Sequence, residues 1–343
     1  MTDNRMTVLG TGKRYSSLDT YAEEFANASG NKRVMLRISK NQIDSKWGEG
    51  VEVIDGNLNL PITDGWAWNI LRGTKIFKKL KDQLDWVHYT TFGLPILSKP
   101  EKSVITIHDL FFLDKNDEAY GHTSEKILRR FLDFGHIIAP SEWVKKQLME
   151  YGFTRGGIKV IYMPPPKDIR YLNNKQGSRT IMGLPQDSKL VLSVSSDLKR
   201  KNNVVVKETS EFLGEEYKLV KVGAPIEGAI NFSNLSAENM NHLYNACDVL
   251  LFPTLAEGYG KPVVEAFAAG LPVVVSDIPV MHEICGTAAM YVDPTNTFAC
   301  VEGVEQAVSN CYEFRDMSLK ASQRFSREKF SSEVKSYYAE AMK

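Results

Sequence analysis

The chain has 343 residues, with 42 basic and 42 acidic side chains and a formal net charge of zero. That length exceeds the size at which one hydrophobic core usually stops growing, so two domains are expected. Balanced charge argues against a protein that coats nucleic acid, and 43% hydrophobic with 24% charged residues is the composition of an ordinary folded chain. No apolar run approaches the ~18 residues of a membrane-spanning helix, and the start, Met1 to Met6, lacks the apolar stretch of a signal peptide. The expected location is therefore cytoplasmic. Cys247, Cys285, Cys300 and Cys311 show no Cys-x-x-Cys spacing and read as reduced packing residues.

In chain order, strand patterns fall near 7–10, 33–38, 51–54, 86–90, 104–107, 136–140 and 159–162, with helical patterns near 17–28, 70–84, 124–133 and 141–151. The proline run Met163-Pro-Pro-Pro166 cannot continue a sheet and marks a domain boundary. Beyond it, strands near 190–194, 218–222, 229–232, 249–252, 272–275 and 289–292 alternate with helices near 203–213, 237–247, 261–269 and 297–312. This alternation predicts α/β architecture, two doubly wound parallel sheets that bind ligands at the carboxyl ends of their strands.

The most informative segment is Glu257-Gly-Tyr-Gly-Lys-Pro262 and its continuation to Glu283. A strand stopped by Pro253 is followed by Gly258 and Gly260, then by a helix with Pro262 in its first turn. Glycines there bring bare backbone N–H groups and a helix dipole to a phosphate, with Tyr259 and Lys261 beside them. Glu257 precedes the turn and Glu265 lies about two helical turns on, so the two carboxylates face different parts of one elongated ligand. Gly-x-Gly with a nearby glutamate is common, and alone would equally mark a strand, turn and helix with solvated carboxylates.

Three further clusters carry weaker signals. Asp197-Leu-Lys199-Arg200-Lys201-Asn202 sets three cations at a strand-to-helix crossing, either a solvated basic turn or a cradle for a leaving diphosphate. Val104-Ile-Thr-Ile-His108-Asp109 ends a buried-looking strand on a histidine, more often a packed residue than a catalyst. Gly10-Thr-Gly12 follows the first strand, but Tyr15 stands where a dinucleotide fingerprint needs glycine, which argues against a nicotinamide enzyme. The chain has no Asp-x-Asp and no His-Glu-x-x-His, so no metal ligands are assigned.

The run from Glu257 through Ala266-Phe-Ala-Ala-Gly270-Leu-Pro-Val-Val to Ser276-Asp277 resembles retaining glycosyltransferase family 4 almost position by position. The resemblance implies the GT-B fold: two Rossmann-like domains facing a central cleft. Residues 1–165 would bind the acceptor, with a closing helix at 326–343 packing back on them, and 166–325 would bind a nucleotide-sugar donor. It further implies diphosphate contacts from Arg200 and Lys201, sugar contacts from Glu257, a ribose contact from Glu265, and donor binding by Gly10, Gly12, Gly258, Tyr259, Gly260 and Lys261. His108 would touch donor sugar and acceptor, with Asp109 orienting it. The implied reaction is transfer of a hexosyl group from a nucleoside diphosphate sugar to an acceptor hydroxyl, with retention, no cofactor and no metal.

One departure is visible. Many family members carry glycine and arginine where this chain has Ser195 and Ser196. That departure leaves open a non-catalytic nucleotide-sugar-binding subunit; a related enzyme of a different reaction class, a GT-B nucleotide-sugar epimerase, is a separate alternative. The expected acceptor is a glycan or a lipid-linked glycan. Arg72-Gly-Thr-Lys75-Ile-Phe-Lys78-Lys79, with Trp66 and Trp68 upstream, fits either a solvated helix or a peripheral contact with an anionic membrane face. No nucleic-acid partner is expected.

Overall fold

The computed structural model describes residues 6–10, 17–29, 33–37, 51–55, 84–91, 96, 98–115, 128–153 and 157–343. The chain divides into two units, Met1–Met163 with Arg327–Lys343, and Pro164–Ser326.

The first unit holds a seven-stranded parallel sheet built from β1 (Met6–Gly10), β2 (Arg33–Arg37), β3 (Val51–Asp55), β4 (Trp86–Tyr89), β5 (Ser103–Thr106), β6 (His136–Ala139) and β7 (Gly157–Val160), in the order β3-β2-β1-β4-β5-β6-β7. β4 and β5 are buried along their whole length, as strands covered on both faces must be, and the polar His88, Ser103 and Thr106 are buried with their apolar neighbours. Leu9, Val87, Tyr89, Ile105, Ile137, Phe131 and Phe134 form the core. α1 (Ser17–Ser29) and the C-terminal α10 (Arg327–Ala341) pack together through Phe25 and Phe330, Ser331 Oγ donating to the Ala28 carbonyl at 2.8 Å, and Arg327 Nη2 donating to Glu24 at 3.0 Å. α2 (Glu142–Tyr151) is capped by Ser141, whose Oγ accepts from Val144 N, and ends at Gly152 with φ +113°.

α10 is also tied to the sheet by polar groups. His88 Nδ1 lies 2.6 Å from Tyr338 Oη, His88 Nε2 lies 2.7 Å from Thr106 Oγ1, and Tyr337 Oη donates to the Ile137 carbonyl at 3.1 Å. His88 has no exposure, and burial pulls its pKa down to about 3, so the ring is neutral.

The second unit holds a six-stranded parallel sheet: β8 (Lys189–Ser195), β9 (Tyr217–Gly223), β10 (Ile230–Phe232), β11 (Val249–Phe252), β12 (Val273–Ser276) and β13 (Met290–Val292), in the order β10-β9-β8-β11-β12-β13. Helices α3 (Lys175–Met182), α4 (Asn203–Phe212), α5 (Ala237–Ala246), α6 (Lys261–Ala268), α7 (Pro279–Cys285), α8 (Thr297–Ser309) and α9 (Cys311–Ser322) accompany it. Sequence patterning anticipates neither α3 nor α7, both short. α3 runs from an Asn174 cap to Gly183 with Gly177 inside it, and α7 opens on Pro279, a residue that reads as a break yet suits a first helical turn. The single helix expected near 297–312 is two, because Asn310 leaves helical geometry and its side chain donates to the Gln306 carbonyl at 2.9 Å.

The expected strand near 159–162 begins and ends two residues earlier, at 157 and 160, ahead of the prolines at 164–166. Helical patterning near 70–84 falls almost wholly outside the described residues. Among those described, no helix is long and apolar enough to cross a membrane.

In each sheet the strand order reverses once, between β1 and β4 in the first unit and between β8 and β11 in the second. Neighbouring loops leave such a point in opposite directions and open a crevice at the carboxyl ends.

Candidate functional site

At the second unit's reversal point, β11 stops where Pro253 offers no N–H to a ladder, and the chain turns into α6. Gly260 makes the turn, with φ +91°; a Cβ there would stand 2.7 Å from Met281 Cε. It serves as the N-cap of α6 without a side-chain cap, and Pro262 occupies the first turn. Of the two glycines singled out in sequence, only this one is left-handed.

Beside this turn runs the cationic one. Residues Lys199–Lys201 form a single 3₁₀ turn ended by Asn202 at φ +57°. Asn202 Nδ2 donates to the Pro253 and Pro294 carbonyls at 3.0 and 2.7 Å, while the Arg200 carbonyl accepts from Leu255 N at 2.7 Å and Thr254 Oγ1 at 2.9 Å. The two turns are therefore fastened backbone to backbone. Lys201 Nζ forms an ion pair with Glu257 and lies over the Phe252 ring, 5.6 Å from its centroid. Glu257 is 8% exposed, and its Oε1 is 3.4 Å from Thr254 Oγ1.

Glu265 is equally buried, at 9% exposure, one face of α6 further on. Tyr244 Oη donates to its Oε2 at 2.7 Å, and Lys261 Nζ stands 3.7 Å from its Oε1. Burial and the adjacent carboxylate raise the Tyr244 phenol well above its ordinary range, so it stays protonated as the donor. Tyr259 is a packed residue here, 5% exposed and edge-on to Phe325. Glu257, Gly258, Gly260, Lys261 and Glu265 thus lie with Arg200 and Lys201 around the carboxyl ends of β8 and β11. Tyr244 and Thr254 complete the arrangement without having been singled out in the sequence, and Asn202, quoted there only as the end of the basic cluster, gains a structural role. Asn202 carried a signal, standing between a basic run and a helix start.

In the first unit, Gly10 ends β1, and Gly12 lies outside the described residues. His108 follows β5, and its Nε2 is 2.7 Å from the Thr90 carbonyl just after β4. A carbonyl only accepts, so Nε2 carries the proton and Nδ1 keeps a lone pair. Thr90 is itself fixed, Oγ1 donating to the Leu9 carbonyl at 2.7 Å. Tyr21 meets the His108 ring edge-on at 4.2 Å, and burial takes the imidazole down to about 4. The ring is therefore neutral, carried by the chain after β5 and oriented by Thr90 after β4, one strand from that unit's reversal point. Asp109 Oδ1 accepts from Phe111 N at 3.4 Å. The basic stretch near residues 72–81, with Trp66 and Trp68, lies outside the described residues.

A cavity of about 260 Å³ in the second unit lies elsewhere, lined in part by Asp248 and Pro272, which immediately precede β11 and β12, and by Arg315. It sits at the amino ends of those strands and touches the site only through Tyr244. Among the described residues, no group of three or more His, Cys, Asp or Glu side chains gathers as metal ligands would.

Comparison with known proteins places these residues in a wider group. Residues 198–310 match the family described as Glycosyl transferases group 1, and residues 40–164 match the one described as Glycosyltransferase Family 4. The chain is 26% identical over 254 residues to the O-antigen chain mannosyltransferase RfbU of Salmonella typhimurium, covering 66% of this chain and 71% of that protein. It is 32% identical over 73 residues to the O-antigen chain mannosyltransferase B of Escherichia coli, covering 21% and 19% of the two chains. Among solved structures it resembles sucrose-phosphate synthase from Thermosynechococcus elongatus, with TM-score 0.79, 15% identity and 98% of both chains covered. It also resembles Anabaena HepE in complex with UDP and glucose, with TM-score 0.73, 14% identity and 98% and 99% coverage. At these identities the structural likeness speaks to the fold, which is GT-B.

Proposed function

The chain belongs to the glycosyltransferases of group 1 and family 4, and from that premise we propose that it moves a hexosyl group from a nucleoside diphosphate sugar to a glycan hydroxyl, with retention and without a divalent metal. Mannose is the favoured sugar and an O-antigen type of glycan, free or lipid-linked, the favoured acceptor. The names of the two mannosyltransferase relatives support both choices.

The observation that carries the reading is the buried Lys201–Glu257 pair beside the Gly260 turn and the start of α6. An ammonium has three donors and a carboxylate about four acceptor sites, so each partner retains capacity after meeting the other. Lys201, with Arg200 and the first-turn amides of α6, would take the negative charge that builds on the diphosphate as the glycosidic bond breaks. Glu257 would hold hydroxyls of the departing sugar, and Glu265, kept in place by Tyr244 and Lys261, would take the ribose. These cations and dipoles supply the charge stabilisation a metal gives elsewhere. Retention would follow a front-face course, in which the departing phosphate oxygen draws the proton from the acceptor hydroxyl. His108, neutral with a free Nδ1 lone pair, suits contact with sugar or acceptor hydroxyls rather than a cationic role.

The test is product analysis by NMR, with a hexosyl acceptor, in the presence and absence of a chelator. A product with the donor's anomeric configuration, formed at the same rate with chelator, is the expected result. Inversion, or loss of turnover restored by a divalent ion, would refute that part of the reading.

A further inference from the structure

Lys221 stands in the apolar stretch Leu219-Val220-Lys221-Val222 of β9 and has no solvent exposure. By strand alternation it shares a face with Tyr217 and Leu219, which belong to the hydrophobic core. A methionine or leucine would fill that position without the cost of burying an amine. Two of its three N–H donors are instead used at the carboxyl ends of β8 and β9. Nζ donates to the Ser195 carbonyl at 2.8 Å and to the Val222 carbonyl at 3.0 Å.

Ser195 is the last residue of β8 and the point from which the cationic turn departs. Its carbonyl takes a second donor, Ala224 N at 3.0 Å, and Gly223 leaves room for the approach: a Cβ there would stand 2.3 Å from the same oxygen. Ser195 Oγ donates to Asn203 Oδ1 at 2.7 Å, and Asn203 Nδ2 donates to the Ser196 carbonyl at 2.9 Å. The far end of the turn is fastened by Asn202 and by the Arg200 carbonyl, as described above. Lys221 is thus the buried tie at the near end.

We propose that Lys221 is a positioning residue for the Lys199–Lys201 turn, holding the carboxyl end of β8 and lodging a positive charge beneath the turn that receives the leaving diphosphate. The inference rests on the functional reading given for that turn. Burial takes the Lys221 ammonium down to about 8, and Asp197, just ahead of the turn, opposes the loss of its proton, so the charge is present at pH 7. A free nucleoside diphosphate carries one more negative charge than its sugar conjugate. A charge under the turn therefore favours the free diphosphate over the conjugate, whereas a purely structural tie would serve both alike.

The experiment is calorimetric binding of UDP, GDP and ADP, each free and as its hexose conjugate, to the wild type, Lys221→Met and Lys221→Gln. Glutamine can still donate to the Ser195 carbonyl but brings no charge, and it covers the case in which the methionine variant does not fold. The expected result is a melting temperature close to wild type and about tenfold weaker binding of the cognate free diphosphate, the scale of a lost charge-assisted contact, with a smaller loss for the conjugate. Equal losses for both ligands, or no loss, would overturn the inference while leaving the functional reading intact. A wild type that binds none of the six ligands would overturn that reading, and this inference with it.

Discussion

Glu257 and Lys201, from turns that follow different strands, meet as an ion pair with side-chain exposures of 9% and 15%. Removing one partner of a buried pair leaves an uncompensated charge and typically costs about 3–5 kcal/mol, while replacing both by apolar groups can be nearly neutral. Lys201→Ala and Glu257→Ala should each lower the melting temperature, and Lys201→Met with Glu257→Leu should recover much of the loss. Turnover should not recover: each single variant and the double should lose roughly two to three powers of ten in kcat, as when a preorganised charge donor is removed. A double variant that regains turnover would show that the pair only holds the fold.

Tyr244 makes a different prediction because it acts through Glu265. Tyr244→Phe keeps the packing but leaves Glu265 Oε2 without its 2.7 Å donor. A buried acceptor stripped of its partner costs about 1–3 kcal/mol. Steady-state kinetics should show a higher KM for the donor with kcat little changed, as expected of a contact to the ribose. A fall in kcat at constant KM would move Glu265 away from the ribose and toward the reacting centre.

Gly260 is constrained by its backbone more than by its neighbours. Gly260→Ala places an L side chain at φ +91°, a conformation disfavoured by about 1–2 kcal/mol. The Met281 methyl that the new Cβ would meet can move, so adding Met281→Ala should not restore stability. Thermal melts of the single and double variants test this; full recovery in the double would mean that the clash, not the backbone, was the cost.

Two histidines of the first unit, His88 buried and His108 half-buried, give its stability a pH dependence of definite sign. Folding takes His88 from the ordinary 6.5 to about 3 and His108 to about 4. Between those values the unfolded chain binds protons that the folded chain does not, so stability is complete above about 6.5 and is lost progressively as pH falls toward 4 and 3. His88→Gln, which cannot take up a proton in this range, should show a smaller drop in melting temperature between pH 7.5 and pH 5 than the wild type. Equal drops would contradict the burial argument for His88.

Much of the fold was legible because parallel strands buried on both faces write themselves as short apolar runs, as β11 and β12 do. The start of α6 was legible because a left-handed glycine followed by Lys261-Pro262 is a local signal. The partnerships were not. Nothing near Glu257 announces Lys201, which reaches it only once β8 and β11 lie side by side, and nothing near Glu265 announces Tyr244. Lys218 and Lys221 look alike in the sequence, yet strand alternation exposes the first and buries the second. The extra helix after Ser309 was missed because the break depends on one asparagine side chain, whose choice of a backbone partner is not a periodicity.

The most direct test of the central claim is a thermal-shift and mass-spectrometric screen of UDP-, GDP- and ADP-sugars with wild type and Lys201→Ala. One donor should stabilise the wild type and be slowly hydrolysed to its nucleoside diphosphate, and Lys201→Ala should lose both effects. Stabilisation without hydrolysis, across a range of offered acceptors, would point to a binding subunit instead. No response to any donor would contradict the assignment of the Lys201–Glu257 region as a sugar-nucleotide site.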